Sequence, residues 1–466
     1  MSRFLAALFV VVLAMVPLPA DAKSPQRDWR QVNVYLAAGV NRIGRTGVQI
    51  ASCNRHNTDN CGIYRVQWNL DRMHGVTARS IVDHPRYAET FPAVNPSGTH
   101  LAYESRQRGT TENDIYTIRV KPSYGRPEPI VVTPVPLVNG PNTDYGIWRG
   151  RYPNWQTDDG LLFSREAYSD DDYEGFPQWW DLYRVGIDYV KGDAALSPIQ
   201  AALVFGDVYG SVDTTSYAAE DPFTSPLARD LVAAHTHRGD GKGLCEAPDG
   251  TLVGAADASK CMAIPAVIDL ASTTSPGIID VDYGAAGINS CAHLALNSDG
   301  TQLLCTEQLT WTPADNCRTC GEKVNQDRIY GFDYDAETGR YEPMVGGGEY
   351  GLLFRHLGPV GLHVFDSRYP TADTPGPGGL YCERGYLHKY AEWCGTDDYV
   401  VATVFCSTEA ASWAGEATLY SRIMLIDISD RLYPEYYDVT SELERLTHAR
   451  EGSYHGFSAT CANYEE

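Results

Sequence analysis

Apolar residues along this chain gather in short runs that Gly, Pro, Asn and Asp cut off. The clearest runs alternate apolar with polar side chains, as in Asp114-Ile115-Tyr116-Thr117-Ile118-Arg119-Val120. A period of two puts alternate side chains on opposite faces of a strand, and the Ile, Val and Tyr content suits that conformation. Phe91-Pro92-Ala93-Val94-Asn95-Pro96-Ser97-Gly98, then Leu101-Ala102-Tyr103-Glu104-Ser105, then Asp114-Ile115-Tyr116, predict a strand, a tight turn, a strand, a polar loop and a third strand.

This unit recurs. Pro153-Asn154-Trp155 leads through Asp159-Gly160-Leu161-Leu162-Phe163-Ser164 to Asp181-Leu182-Tyr183. Cys291-Ala292-His293-Leu294 leads through Ser298-Asp299-Gly300 and Leu303-Leu304-Cys305-Thr306 to Arg328-Ile329-Tyr330. The third-strand Tyr stands at Tyr64, Tyr116, Tyr183 and Tyr330, where a β-preferring aromatic packs between units. A degenerate copy fills the gap before Tyr330, from Pro222-Phe223 through Leu231-Val232-Ala233-Ala234 to residues 263–269. A last copy runs through residues 399–404 and 422–427. A repeated unit that cannot bury its own apolar face must stack on its neighbours, so six copies predict an all-β fold, a single six-bladed propeller. The tail, residues 454–460, is expected to pair with the first blade near residues 32–36, which closes the ring and removes its free edges. Residues 441–450 predict a short helix with Ser441 as N-cap and Glu444 three residues on. The spacing of the copies requires long inter-strand loops: residues 168–180, 239–260, 310–326 and 346–392. The last reads as irregular because of Pro370, Pro375 and Pro377.

Residues 1–22 have the form of a cleaved signal peptide: Arg3, an apolar run over 4–16, and Ala20-Asp21-Ala22 as a small-x-small cleavage site. That divides the chain into a leader, 1–22, and a propeller, 23–466. The run is too short to span a bilayer and no later run is long enough, so no membrane span is expected after cleavage. The expected location is periplasmic or extracellular. A formal net charge of -23 disfavours nucleic acid and anionic membrane surfaces and favours cations or basic partners. All 12 cysteines follow the leader, an even number that reads as disulfides in an exported chain. Sequence leaves the pairing open. Loop-closing choices are Cys53 with Cys61, Cys245 with Cys261, Cys382 with Cys394, Cys291 with Cys305 across a turn, and Cys406 with Cys461 to pin the tail. Cys317-Arg318-Thr319-Cys320 closes locally or pairs outward; Gly321 stands where a haem-attachment motif needs His.

Two clusters carry candidate chemistry. His235-Thr236-His237 places two imidazoles on one face of a strand, a start for a transition-metal site with His293, His356, His363 or His388 as further ligands; the plainer reading is polar histidines near a strand end. Asp170-Asp171-Asp172-Tyr173 before Trp179 and Trp180 offers hard oxygen ligands for calcium and aromatic rings for a sugar or a protein surface. It lacks the Asp-x-Asp-x-Asp-Gly order of an EF-hand, and the tryptophans also suit packing beneath a solvated acidic loop. No Gly-x-Ser-x-Gly nucleophile elbow and no phosphate-binding lysine loop occur, and no residue is assigned a catalytic role.

The repeats resemble the TolB-like, or PD40, propeller repeat, a WD40-like unit. Its pattern is a Pro-containing strand, a Ser-Pro-Asp-Gly turn, an apolar strand ending in Ser and an Ile-Tyr strand. The copy over 91–120 follows it, with Asn95-Pro96-Ser97-Gly98 as the turn. The resemblance implies the fold rather than an activity: similar propellers include periplasmic scaffolds, parts of peptidases, and sugar lyases, some with histidine-bound metal. The amino-terminal α/β domain of TolB has no room before Tyr64, so a Tol–Pal role is not implied. The expectation is an exported, non-catalytic binding propeller for an envelope or extracellular protein or a glycan, its ligand at the loop-rich face or central channel. The alternative is a carbohydrate-active, lyase-like propeller enzyme with a histidine-bound metal.

Overall fold

A computed structural model describes residues 31–40, 42–43, 49–50, 53, 61–83, 87–107, 114–120, 130–131, 150–167, 179–190, 193–196, 202–205, 216–225, 227–239, 244–246, 252–254, 264–272, 277–283, 291–307, 329–344, 386–394, 396–406, 420–429, 434–450 and 453–463. The six repeats form six antiparallel sheets set around a ring, a six-bladed β-propeller. From the channel outward, the second blade is Tyr87–Val94, His100–Gln107, Asp114–Arg119 and Ile130–Val131. The third blade begins with Gly150–Trp155, Gly160–Ala167 and Trp179–Val190. The degenerate copy is a true blade: Ser216–Thr224, Leu231–Gly239, Ile264–Asp269 and Ile278–Asp280. The fifth is Cys291–Leu296, Gln302–Glu307, Ile329–Asp335 and Arg340–Pro343. The sixth is Tyr386–Cys394, Thr396–Cys406, Tyr420–Asp427 and Glu435–Asp438.

The first blade is made from both ends of the chain. Tyr454–Asn463 is its innermost strand and lies against Gln31–Val40, followed outward by Gly62–Asn69 and His74–Val82. The register Val32↔Asn463 and Leu36↔Ala459 is the expected closure of the ring. The core is divided into slabs, because each blade is apolar on both faces. One slab, between the first and sixth blades, packs Val34, Val66 and Trp68 against Val401, Ile423 and Leu425. Another, between the first and second, packs Tyr35 and Ile63 against Leu101 and Tyr103. Tyr64, Tyr183 and Tyr330 are buried, as their packing role requires.

Several expectations are corrected. Residues 346–392 are not loop throughout, since the inner strand of the sixth blade, Tyr386–Cys394, takes up their end. Residues 239–260 include a small hairpin, Leu244–Glu246 with Leu252–Gly254. The helix is Val439–Thr447 and its N-cap is Asp438, whose carboxylate accepts from Ser441 N at 2.9 Å. Glu444 does not face a capping box; it turns inward to Arg422. Cys53–Cys61 forms as expected, but Cys394 pairs with Cys461, which excludes Cys382–Cys394 and Cys406–Cys461. The reason is geometric: Cys394 ends one inner strand, Cys461 lies two residues from the end of another, and those strands are neighbours around the channel. Cys305 is disulfide-bonded as well. Disulfides suit an oxidising, exported environment. Cys261, Cys317, Cys320 and Cys382, with residues 1–22, lie outside the described residues; Cys245, Cys291 and Cys406 are placed by backbone only.

Candidate functional site: the central channel and its two faces

Blade sheets stand radially, so an inner strand turns its side chains toward adjacent blades and only its backbone edge toward the axis. A bulge changes that aim. Five inner strands carry the same defect, two residues opposite one: 91 and 92 opposite Tyr103, 152 and 153 opposite Phe163, 221 and 222 opposite Ala234, 293 and 294 opposite Cys305, 390 and 391 opposite Ala402. In the first blade the shift falls at Phe457. Phe91, Tyr152, His293 and Tyr390 take positive φ of 47°, 52°, 51° and 50°. That conformation costs an L-residue roughly 1–2 kcal/mol, and a bulge re-aims the side chain it holds. Three of the bulges read x-Pro, at Pro92, Pro153 and Pro222, where a missing N–H leaves the interrupted ladder no poorer.

The re-aimed side chains meet on the axis. Phe91 packs edge-to-face on Tyr152, Phe457 and Tyr390 at 5.0, 5.2 and 5.3 Å between ring centres. His293 closes the circle, 4.2 Å from the Tyr390 ring and 6.3 Å from Tyr152. Buried polar side chains of neighbouring blades hold the bulges in place. Tyr152 N donates to Glu104 Oε1 at 2.7 Å, Phe91 N donates to Ser458 Oγ at 3.0 Å, and Thr403 Oγ1 donates to Phe457 O at 2.7 Å. On the turn side of this plug lies a cavity whose walls include Tyr152, Asn154, Phe223, His293, Tyr390 and Glu392.

The two faces of the ring differ. At one end are the tight turns, stitched from blade to blade by the residue four places after each bulge. Asn95 follows the second blade's inner strand, and beyond it Ser97 N donates to Asp158 at 2.8 Å. Gln156 Nε2 donates to Arg229 O at 2.8 Å, Ser225 Oγ to Ser298 O at 2.7 Å, and Asn297 Nδ2 to Asp397 at 3.2 Å. At the sixth seam the equivalent positions are Cys394 and Cys461, and the stitch is a disulfide. An inner strand runs toward the turn end and its partner returns. The connections at 108–113, 168–178, 240–263, 308–328 and 407–419 therefore all leave from the other end. So do the connections that lead into the inner strands.

Of the sequence candidates, His235 is buried in the second strand of the fourth blade, and its ring lies 6.0 Å from that of His293. His237 is two places along the same strand, opposite Ala218. His388 stands in the sixth inner strand, opposite Val404. His356 and His363 lie outside the described residues. Among the described residues, no three of His, Cys, Asp or Glu are placed to hold a metal ion. Trp179 and Trp180 begin the third strand of the third blade, opposite Ala167 and Glu166; Asp170, Asp171, Asp172 and Tyr173 lie outside the described residues. The plug was missed from sequence, although the repeated aromatic-Pro pair of Phe91-Pro92 and Tyr152-Pro153 marks it.

No family model matches this chain. No curated protein matches it either. Among solved structures it is similar to the hydrazine synthase of Kuenenia stuttgartiensis, at 12% identity and a TM-score of 0.44 over 88% of this chain and 47% of that one. It is also similar to a chain of a nidogen/laminin complex, at 10% identity and TM-score 0.39 over 93% and 98% of the two chains. A B. megaterium levansucrase is similar at 12% and 0.41, over 87% and 88%. Likenesses this distant say nothing about what the chain binds or converts.

Proposed function

We propose that this chain is an exported, non-catalytic propeller of the TolB-like type that binds an envelope or extracellular protein or a glycan through its loop-rich face. The observation that carries this reading is the division of labour between the faces: one is stitched from blade to blade at its short turns, while the longest connections, such as 240–263, 308–328 and 345–385, leave from the other. Loops displayed by a rigid scaffold are where recognition concentrates. Trp179 and Trp180, at the edge of that face, support aromatic contact, and the acidic run 170–172 supports a basic partner or calcium. Replacing residues 168–178 and 310–326 with Gly-Ser linkers tests the reading. The mature chain, immobilised, should retain a partner from an envelope extract, and the linker variant should melt within a few degrees of it yet retain none. Equal retention by both would overturn the assignment.

The second reading, a carbohydrate-active enzyme with a histidine-bound metal, has one observation in its favour: the rings of His235 and His293 lie 6.0 Å apart. It predicts a melting temperature that falls in EDTA and returns with manganese or zinc, whereas calcium rescue would point to residues 170–172. The binding reading needs no change with the two transition metals.

A further inference from the structure

We propose that the outer rim of the first blade is a docking surface for an acidic polysaccharide. The rim comprises the outer strand His74–Val82, the turn before it and the helix Val439–Thr447. Gly75 holds strand and helix together, donating from N to Glu442 and accepting at O from Arg445. Over residues 70–82 and 439–450, the exposed residues among Asp, Glu, Lys and Arg are Arg72, Arg79, Arg445, Arg450 and one carboxylate, Asp71. The chain as a whole has 60 acidic and 37 basic residues, so this local excess runs against its composition. Charge on an outer strand keeps its edge from pairing, which accounts for Arg79 but not for arginines on the turn and beside the helix. Arg340, Arg422 and Arg445 have carboxylate partners. Among the described residues, no carboxylate pairs with Arg65, Arg72, Arg79 or Arg450.

Register sharpens the chemistry. Arg65 and Arg79 stand directly opposite each other on neighbouring strands, on the face that Tyr35 turns to the second blade. Like charges so placed destabilise a strand pair, and an oxyanion set against both guanidiniums removes the repulsion. The planar guanidinium also matches a carboxylate with two parallel hydrogen bonds. Toward the turn end the same face continues with Asn33, Gln67 and Thr77. Gln67 Nε2 donates to Gln31 Oε1 at 2.7 Å, and Thr77 Oγ1 donates to Gln67 Oε1 at 3.1 Å. Asn33 is buried with its Oδ1 unpartnered. Amides and a hydroxyl beside paired arginines are what sugar hydroxyls next to a carboxylate need, whereas an acidic peptide or a lipid surface would use the charge alone. Asp71 and Asp83 stand near Tyr399 and Tyr64, toward the sixth blade. The rim is on the outside of the ring, so it stands or falls independently of the role given to the long connections.

The test is isothermal titration of the mature protein with alginate oligomers, dextran of the same length, polyglutamate, and phosphatidylglycerol vesicles. It is run at about 0.15 M salt, where the Debye length of about 8 Å screens the acidic surface elsewhere. Saturable binding of alginate is expected, with each of the other three weaker by about tenfold or more. The double variant Arg72→Gln with Arg79→Gln should weaken alginate binding about tenfold and keep the melting temperature within a few degrees. Arg340→Gln, on the outer strand of the fifth blade, should leave the affinity unchanged. Thr77→Val, which removes a hydroxyl and no charge, should weaken alginate and leave any residual polyglutamate binding as it was. No saturable heat with alginate, equal binding of dextran, polyglutamate or vesicles, or unchanged affinity in the double variant would overturn the proposal. The comparison of the four probes on the unaltered protein decides the matter even if a variant does not fold.

Discussion

Two buried histidines set the response of this ring to acid. His455 lies at the closing seam, where its Nδ1 accepts from Ser421 N at 3.2 Å, and burial beside Arg422 lowers its pKa to about 3. His100 ends the first turn of the second blade, and burial, aided by Arg119, lowers its pKa to about 4. Both are neutral in the fold, whereas in the unfolded chain they take up protons below about 6.5. Their contribution is therefore complete above that pH and declines as pH falls through the window down to the folded values, by up to about 1.4 kcal/mol per pH unit for each histidine. Urea unfolding between pH 7 and pH 5, where most carboxylates stay ionised, should show that slope, and His455→Asn should remove about half of it. A flat profile would contradict the assignment. Neither histidine stood out in the sequence: nothing near His455 reveals that Arg422, far away in the chain, will lie beside it.

At the scale of elements, the bulged inner strand is the unit that makes the plug. Phe91 sits in the left-handed region, where Gly is at ease and Ala is not. Phe91→Ala should cost about 3 kcal/mol in lost packing, and Phe91→Gly about 1 kcal/mol less than that. Glycine outranking alanine reverses the usual order inside a strand, so chemical denaturation of the two variants checks the backbone assignment directly. Strands with strong alternation, such as Asp114–Arg119, and turns with Asn, Pro, Ser and Gly were legible from the chain. The inner strand Tyr386–Cys394 was not, because it follows a Pro- and Gly-rich stretch and has no proline at its bulge. The helix caps at Asp438, three residues before the expected Ser441, because Asp438 also closes a strand and its capping role is hidden by that strand's pattern.

For the whole molecule, the decisive contact is the seam between the sixth and first blades. Arg422 is buried there, bonding Asp438 and Glu444 each at 2.9 Å and Tyr454 O at 3.1 Å, while Tyr454 N donates to Glu444 at 2.9 Å. The helix Val439–Thr447 clamps the outside, with Gly75 N donating to Glu442 at 3.0 Å and Arg445 donating to Gly75 O at 2.7 Å. The disulfide Cys394–Cys461 spans 67 residues and Cys53–Cys61 only 8, so loop-closure entropy predicts about 4 kcal/mol from the first and about 2.5 kcal/mol from the second. Paired Cys→Ala variants compared in guanidinium should show that order; the reverse order would mean that the seam holds without its sulfur link. The ring itself was legible, since repetition and an apolar tail near residue 460 imply closure. The pairing of Cys394 was not, because a partner across a seam is set by the ring and not by distance along the chain.

The first blade also fixes a sequence of events. Its three outer strands belong to the beginning of the chain and its channel strand, Tyr454–Asn463, to the end. A growing or threading polypeptide therefore holds Gln31–Val40 with one backbone edge unpaired until nearly every other residue has arrived. Loss of residues 455–466 would strip the first blade of its channel strand and leave one edge of Gln31–Val40 bare, a template on which another copy's tail could pair. The same arrangement means that a chain passed through a narrow conduit cannot finish folding before its tail has emerged.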